Sequence, residues 1–281
     1  MEIKIVKWAA DQPSSVVSAF IRRPAYDPSA EQTAREVLED IRLNGDAAVL
    51  KYAEMYDGVA LRPTELRVTA QEIARAREAV DAEFRAAARE THKRVVHFAR
   101  AGMKKDWTTF SLKGGTLGEQ FVPYDRVGVY VPGGAAPLVS TVFMTVTLAR
   151  VAGVPEIVAC TPPDARGEVN PYVLFALDMA GATEIYKIGG IQAIGLMAYG
   201  TKTVRKVQKL VGPGGAHVTA AKRLVYGEVA LDLVKSYLEF ADDKEKSKYK
   251  QAEDYFALYE KAFSIIIKAE ESRGPRGKAG F

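Results

Sequence analysis

Three stretches set glycines directly after apolar runs. Val127-Gly128-Val129-Tyr130-Val131 leads into Pro132-Gly133-Gly134, Ile188 into Gly189-Gly190, and Val211 into Gly212-Pro213-Gly214-Gly215. Glycine lets a backbone turn tightly and lets a ligand approach the main chain, and a helix beginning just after such a loop offers unpaired N–H groups to an anion. Gathered on one edge, these loops would cradle a phosphate or a nucleotide. They would serve equally as plain strand-to-helix turns, and the glycines alone do not separate the two. Neither G-x-G-x-x-G nor a P-loop Lys-Ser/Thr ending is present, so a simple Rossmann fingerprint or Walker assignment fails.

Three histidines and one cysteine are the remaining candidates for metal or nucleophilic chemistry. His92 and His97 fall in a helical stretch about 140° around the axis from each other, so they do not present one metal-binding face. His217 follows Gly-Pro-Gly-Gly at a helix start, beside the presumed ligand edge. Cys160 ends an apolar run before Thr161-Pro162-Pro163 and, with no identifiable base, reads as a small buried hydrophobe.

The elements that must position these residues follow from hydrophobic spacing. Ala34, Val37, Leu38, Ile41, Ala48, Leu50 and Tyr52 predict a helical hairpin over 29–56, broken at Asn44-Gly45-Asp46. Thr69, three residues ahead of Glu72, is a start signal for one long helix reaching about Ala101. Thr108 to Val122, around Gly114-Gly115, predicts a small hairpin. Val127–Val131, Glu156–Cys160, Glu184–Ile188 and Val207–Val211 then read as buried strands, alternating with helices over Leu138–Ala152, Pro171–Ala180 and Gln192–Tyr199. That alternation implies crossover units: an α/β fold with a Rossmann-like parallel sheet of about four strands flanked by helices. The expected organisation is a helical N-terminal region ending in a β-ribbon (1–125), a Rossmann-like dinucleotide-binding domain (126–232), and a helical C-terminal tail (233–281). In an open parallel sheet, ligands bind beyond the carboxyl ends of the strands, where the glycine loops fall.

Composition narrows the function classes. With 39 Lys and Arg against 35 Asp and Glu, interleaved and giving a net charge of +4, the chain lacks a basic stripe for nucleic acid. The lone cysteine excludes an intrachain disulfide framework and fits a reducing compartment. No apolar run approaches the ~18 residues that span a bilayer, and Met1-Glu2-Ile3-Lys4 opens no signal pattern; a cytoplasmic protein is expected.

Five blocks in order carry a family resemblance: Val127-Gly-Val-Tyr-Val-Pro-Gly-Gly134, Gly189-Gly-Ile-Gln-Ala-Ile194, Tyr199-Gly-Thr201, Lys209-Leu-Val-Gly-Pro-Gly214 and Ala220-Ala-Lys-Arg223. With Asn44-Gly-Asp-Ala-Ala48 and Tyr52, they make residues 27–232 resemble the histidinol dehydrogenases. The resemblance implies a zinc-dependent enzyme that oxidises L-histidinol twice with NAD to L-histidine, in a domain-exchanged homodimer. Tyr130 and Gln192 match the family's NAD contacts, as a phenol and an amide that hydrogen-bond ribose, phosphate or carboxamide. The third contact is an asparagine in the family and Gly215 here; one lost side-chain hydrogen bond weakens the cofactor site by about 0.5–1.5 kcal/mol.

Past Asp232 the likeness thins. The family's Gly-Pro-Ser-Glu segment is replaced by Leu233-Val-Lys-Ser-Tyr-Leu-Glu239, and its proton-handling Glu-His pair has no match. Gln251-Ala252-Glu253-Asp254 resembles a zinc-binding Gln-Ala-Glu-His stretch with aspartate in the histidine's place, but two ligands do not close a zinc site. No residue is therefore assigned to catalysis or to metal. Residues 242–250 are mostly charged, and Ala252, Tyr255, Phe256, Tyr259, Phe263 and Ile266 form an apolar stripe expected to be buried against the protein or a second copy. Two readings follow. One is a truncated, inactive homologue with weak NAD binding; the other is a non-catalytic assembly or regulatory module acting through its C-terminal helix.

Overall fold

The computed structural model of the chain describes residues 14–21, 27–110, 114–133 and 137–232. Gly134, the stretch Gln251 to Asp254 and the apolar stripe up to Ile266 lie outside the described residues, and with them the module reading that rests on that stripe.

Helix α1 (Ser15–Ile21) precedes α2 (Pro28–Asn44), which starts where the Asp27 carboxylate accepts the Ser29 N–H at 2.9 Å and Pro28 fills the first turn. Its buried face, Ala30, Ala34, Val37, Leu38 and Ile41, recurs at three and four residues as the sequence requires. After Gly45, α3 (Asp46–Tyr52) runs into a π-helical turn, Ala53–Asp57, and Gly58 turns the chain away in the left-handed region at φ 70°. Helix α4 (Ala70–Ala79) begins in the expected Thr69–Glu72 capping box. The single helix expected from there to Ala101 is in fact two. The backbone extends at Val80, and Asp81 caps α5 (Ala82–Ala101) by accepting the Phe84 N–H at 2.7 Å. No glycine or proline marks this break; a buried Val80 and a second cap hold it. The predicted hairpin is β1 (Trp107–Phe110) paired antiparallel with β2 (Thr116–Glu119), exposed throughout.

The sheet is built from β3 (Arg126–Tyr130), β4 (Glu156–Thr161), β5 (Glu184–Lys187), β6 (Lys209–Val211) and β7 (Ala230–Leu231). All are parallel, in the order β5-β4-β3-β6-β7, so a fifth short strand joins the four expected. Their connections are α6 (Val139–Val151), α7 (Pro171–Ala180), α8 (Gly190–Tyr199) and α9 (Ala216–Leu224). Strand side chains alternate between two cores. Val127, Val129, Ile157, Ala159 and Ile185 face α4 to α7, whereas Tyr130, Val158, Cys160, Tyr186 and Leu210 face α2, α3, α8 and α9. Coverage on both faces is why the strands read as unbroken apolar runs. Residues on either side of position 125 build each core. Among the described residues, no helix is long and apolar enough to cross a membrane.

Candidate functional site

Strand order locates the crevice. The chain leaves β3 for α6 on one face of the sheet and leaves β6, its neighbour, for α9 on the other. Adjacent strands whose connections diverge in this way open a gap at their carboxyl ends, the topological switch point where open α/β sheets bind ligands. Tyr130 is the last residue of β3, and Gly212 follows β6 directly beside it: a Cβ on Gly212 would lie 2.1 Å from the Tyr130 carbonyl oxygen. With φ at 125° as well, this position admits only glycine.

Tyr130 and Gln192 are brought together around Gly190. The Gly190 N–H donates to Tyr130 Oη at 3.1 Å, and a Cβ on Gly190 would meet Gln192 Oε1 at 2.8 Å. Burial holds the Tyr130 phenol above its ordinary pKa, so its O–H remains a donor. Gln192, fully buried at 0% exposure, gives Nε2–H to Asp57 Oδ2 at 3.0 Å. Its Oε1 has no hydrogen-bond partner among the described residues. A buried amide oxygen in that condition is expensive to leave unmade, and it marks where a donor belongs.

Gly215 lies on the neighbouring loop, at the N-cap of α9, with no side-chain cap and open space where a Cβ would go. His217 is exposed in the first turn of α9, His97 is exposed, and His92 is half-buried against Phe143 with its pKa lowered by burial. Cys160 is buried in the sheet, and burial pushes its thiol up, away from thiolate chemistry. No three or more His, Cys, Asp or Glu among the described residues are grouped to hold a metal ion.

Sequence reasoning missed Asp57. Half-buried, it accepts from both Gly189 N–H at 3.1 Å and Gln192 Nε2, and burial raises its pKa. Asp57-Gly58 reads locally as no more than a turn, and nothing in it signals a contact with residues more than a hundred positions away. Also missed was Lys222, buried in α9, which donates to the Gly212 carbonyl at 2.7 Å and so holds the loop after β6.

An open parallel sheet with glycine loops at its switch point defines a Rossmann-like α/β protein. The family model for histidinol dehydrogenase matches residues 21–257, and the chain belongs to that family. It is 46% identical over 213 residues to the histidinol dehydrogenase of Symbiobacterium thermophilum, covering 76% of this chain and 48% of that protein. With the histidinol dehydrogenase of Carboxydothermus hydrogenoformans it shares 38% identity over 242 residues, 85% of this chain and 56% of the relative. The crystal structure of histidinol dehydrogenase from Elizabethkingia anophelis superposes with a TM-score of 0.72 at 35% identity, over 79% of this chain and 51% of that one. The chain thus spans about half the length of the curated relatives it matches.

Proposed function

We propose that the switch-point edge binds NAD weakly, and that this polypeptide by itself does not turn over histidinol. The observation that carries the first part is the buried, unpartnered Gln192 Oε1 beside the Tyr130 hydroxyl at the carboxyl end of β3. Both border Gly190, and together they offer an acceptor and a donor, which suits the sugar or carboxamide of a dinucleotide. Gly215 would contribute backbone only. NAD, when bound, supplies the hydride acceptor; the residues here bind and orient it.

The second part rests on residue content. Oxidation of an alcohol needs a group to take its proton, and the family's Glu-His pair has no counterpart in this sequence. Zinc asks for a closed set of ligands, and Gln251 and Asp254 supply only two. Self-association belongs to the same reading. Among the described residues Trp107, Phe110, Leu117 and Val122 are exposed on or beside the ribbon, which pairs with no third strand there; a two-stranded ribbon is marginal in water, which favours cover from a second copy.

Titration calorimetry with NAD tests the site. Tyr130→Ala and Gln192→Ala should each weaken binding about tenfold, the loss of one hydrogen bond to a buried partner. Binding that survives both changes moves the site elsewhere. Sustained, zinc-dependent NADH production from histidinol would refute the claim of inactivity, and a single-chain mass in solution would remove the self-association.

A further inference from the structure

Gly189 and Gly190 open α8, where glycines and free N–H groups would ordinarily suggest a phosphate. Both N–H groups are already in use by the chain itself: Gly189 donates to the Asp57 carboxylate and Gly190 to Tyr130 Oη, each at 3.1 Å. The missing side chains serve the same internal contacts. A Cβ on Gly189 would lie 2.7 Å from Asp57 Oδ1, and one on Gly190 would lie 2.8 Å from Gln192 Oε1. The glycine pair therefore admits the protein's own carboxylate and amide, and an anion arriving at this helix start meets a carboxylate already in its place.

Asp57 also decides what Gln192 offers. An ionised carboxylate only accepts, so the amide must turn Nε2 toward it, at 3.0 Å, leaving Oε1 as the unpaired acceptor beside Gly190. That oxygen is one of four buried side-chain polar atoms without a partner among the described residues, and the one beside these glycine loops. Next to it, Tyr130 has its oxygen occupied by Gly190 N–H and its own proton free to donate. An acceptor beside a donor matches a hydroxyl or a carboxamide, each of which both gives and takes a hydrogen bond. It does not match a phosphate, which only takes.

We infer that Asp57 is a specificity-determining residue of this edge: it fills the anion position at the start of α8 and fixes the Gln192 amide, so that a neutral donor from the nucleoside part of a ligand is accepted there and phosphate is excluded. The identity of the ligand as NAD rests on the function proposed above; the exclusion of phosphate does not. Asp57 acts through Gln192 and Gly189 and is a positioning residue, not a catalytic one.

The test uses the full chain labelled with ¹⁵N. Inorganic pyrophosphate should leave the Gly189 and Gly190 amide signals of the unaltered protein in place and should shift them, saturably, in Asp57→Ala. Adenosine and nicotinamide riboside should perturb the Gln192 side-chain amide; a response to both identifies ribose hydroxyls as the donor, and a response to nicotinamide riboside alone identifies the carboxamide. NAD affinity should fall about tenfold in Asp57→Ser, whose short hydroxyl leaves the Gln192 amide free to turn. Asp57→Asn should keep most of it, because both bonds fall on one carboxylate oxygen and the asparagine carbonyl can take that place. This second pair keeps the test alive if Asp57→Ala does not fold. Saturable pyrophosphate shifts at Gly189 and Gly190 in the unaltered protein overturn the inference, as does an equal loss in Asp57→Ser and Asp57→Asn. If NAD fails to bind while pyrophosphate enters only Asp57→Ala, the NAD reading falls and the role of Asp57 is supported.

Discussion

Lys222 and Asp232 are joined across the end of the sheet through the loop after β6. The Lys222 ammonium donates to one Asp232 carboxylate oxygen and, at 2.7 Å, to the Gly212 carbonyl, while the other carboxylate oxygen accepts the Gly212 N–H at 2.8 Å. The two partners differ in burial: the Lys222 side chain is 1% exposed and that of Asp232 34%. Burial pulls the Lys222 amine below its ordinary pKa and the nearby carboxylate works against that shift.

The asymmetry predicts unequal losses. Asp232→Ala strands a buried ammonium and should destabilise the fold by about 3–5 kcal/mol, whereas Lys222→Met leaves a carboxylate that water can reach and should cost about 1–3 kcal/mol. Urea unfolding of the two variants checks this, and a larger loss for Lys222→Met would contradict it.

At the amino end of the sheet, Arg126 stitches three strands together. It holds Glu184 with two bonds, at 2.6 and 2.9 Å, and Glu156 with one at 2.6 Å. These bonds, Arg126 first, keep the Glu184 carboxyl at about 2 against an ordinary 4.5. A carboxylate whose folded pKa is depressed contributes stability that is whole above its unfolded pKa and is lost as pH falls toward the folded one. Stability should therefore drop between pH 4.5 and about 2. Glu184→Gln should cost about 3 kcal/mol at neutral pH and flatten that acid limb. Unfolding free energies measured across pH test it; an unchanged acid limb in the variant would assign the acid sensitivity to other groups.

Gly212→Ala should be far worse than Gly58→Ala, although both glycines have positive φ. Around Gly58, at φ 70°, a Cβ meets nothing within 4 Å, so alanine there pays only the left-handed penalty of about 1 kcal/mol. At Gly212 the obstacle is the Tyr130 backbone at 2.1 Å, which cannot swing aside as a side chain would. A loss of about 3 kcal/mol or more, together with loss of NAD binding, is expected. Melting temperatures of the two variants decide the point.

Much of this was legible in the sequence because its signals are local. The Thr69–Glu72 box, Gly45 and the unbroken apolar runs from Val127 onward each report on neighbours a few residues away. The break at Val80 was not legible, since its cause is the burial of one side chain rather than a breaker residue. Strand β7, Ala230–Leu231, is too short to show a period. That Tyr130 ends a strand and Gln192 lies in the first turn of a helix could be read from the apolar runs on either side. Asp57 could not, because what places it is the packing of α3 on α8, a relation between segments that no local pattern encodes.

The last prediction concerns Gly215, where the family resemblance puts an asparagine. The backbone there has φ −69° and ψ −175°, an extended conformation open to any residue, and a Cβ would touch nothing within 4 Å. Glycine is thus not required by the fold, in contrast to Gly212. An asparagine at this N-cap would accept an N–H from the first turn of α9, which now has no side-chain cap, and stabilise the chain by a few tenths of a kcal/mol, roughly the N-cap difference between glycine and asparagine. It would also restore one side-chain hydrogen bond toward the switch point, worth about 0.5–1.5 kcal/mol, or roughly two- to tenfold in NAD affinity. Gly215→Ala is the control, because it adds the Cβ without the amide and should not tighten binding. Calorimetry on both variants separates the outcomes: tighter binding in Gly215→Asn alone places the cofactor against the start of α9, and equal affinities in both would remove Gly215 from the site.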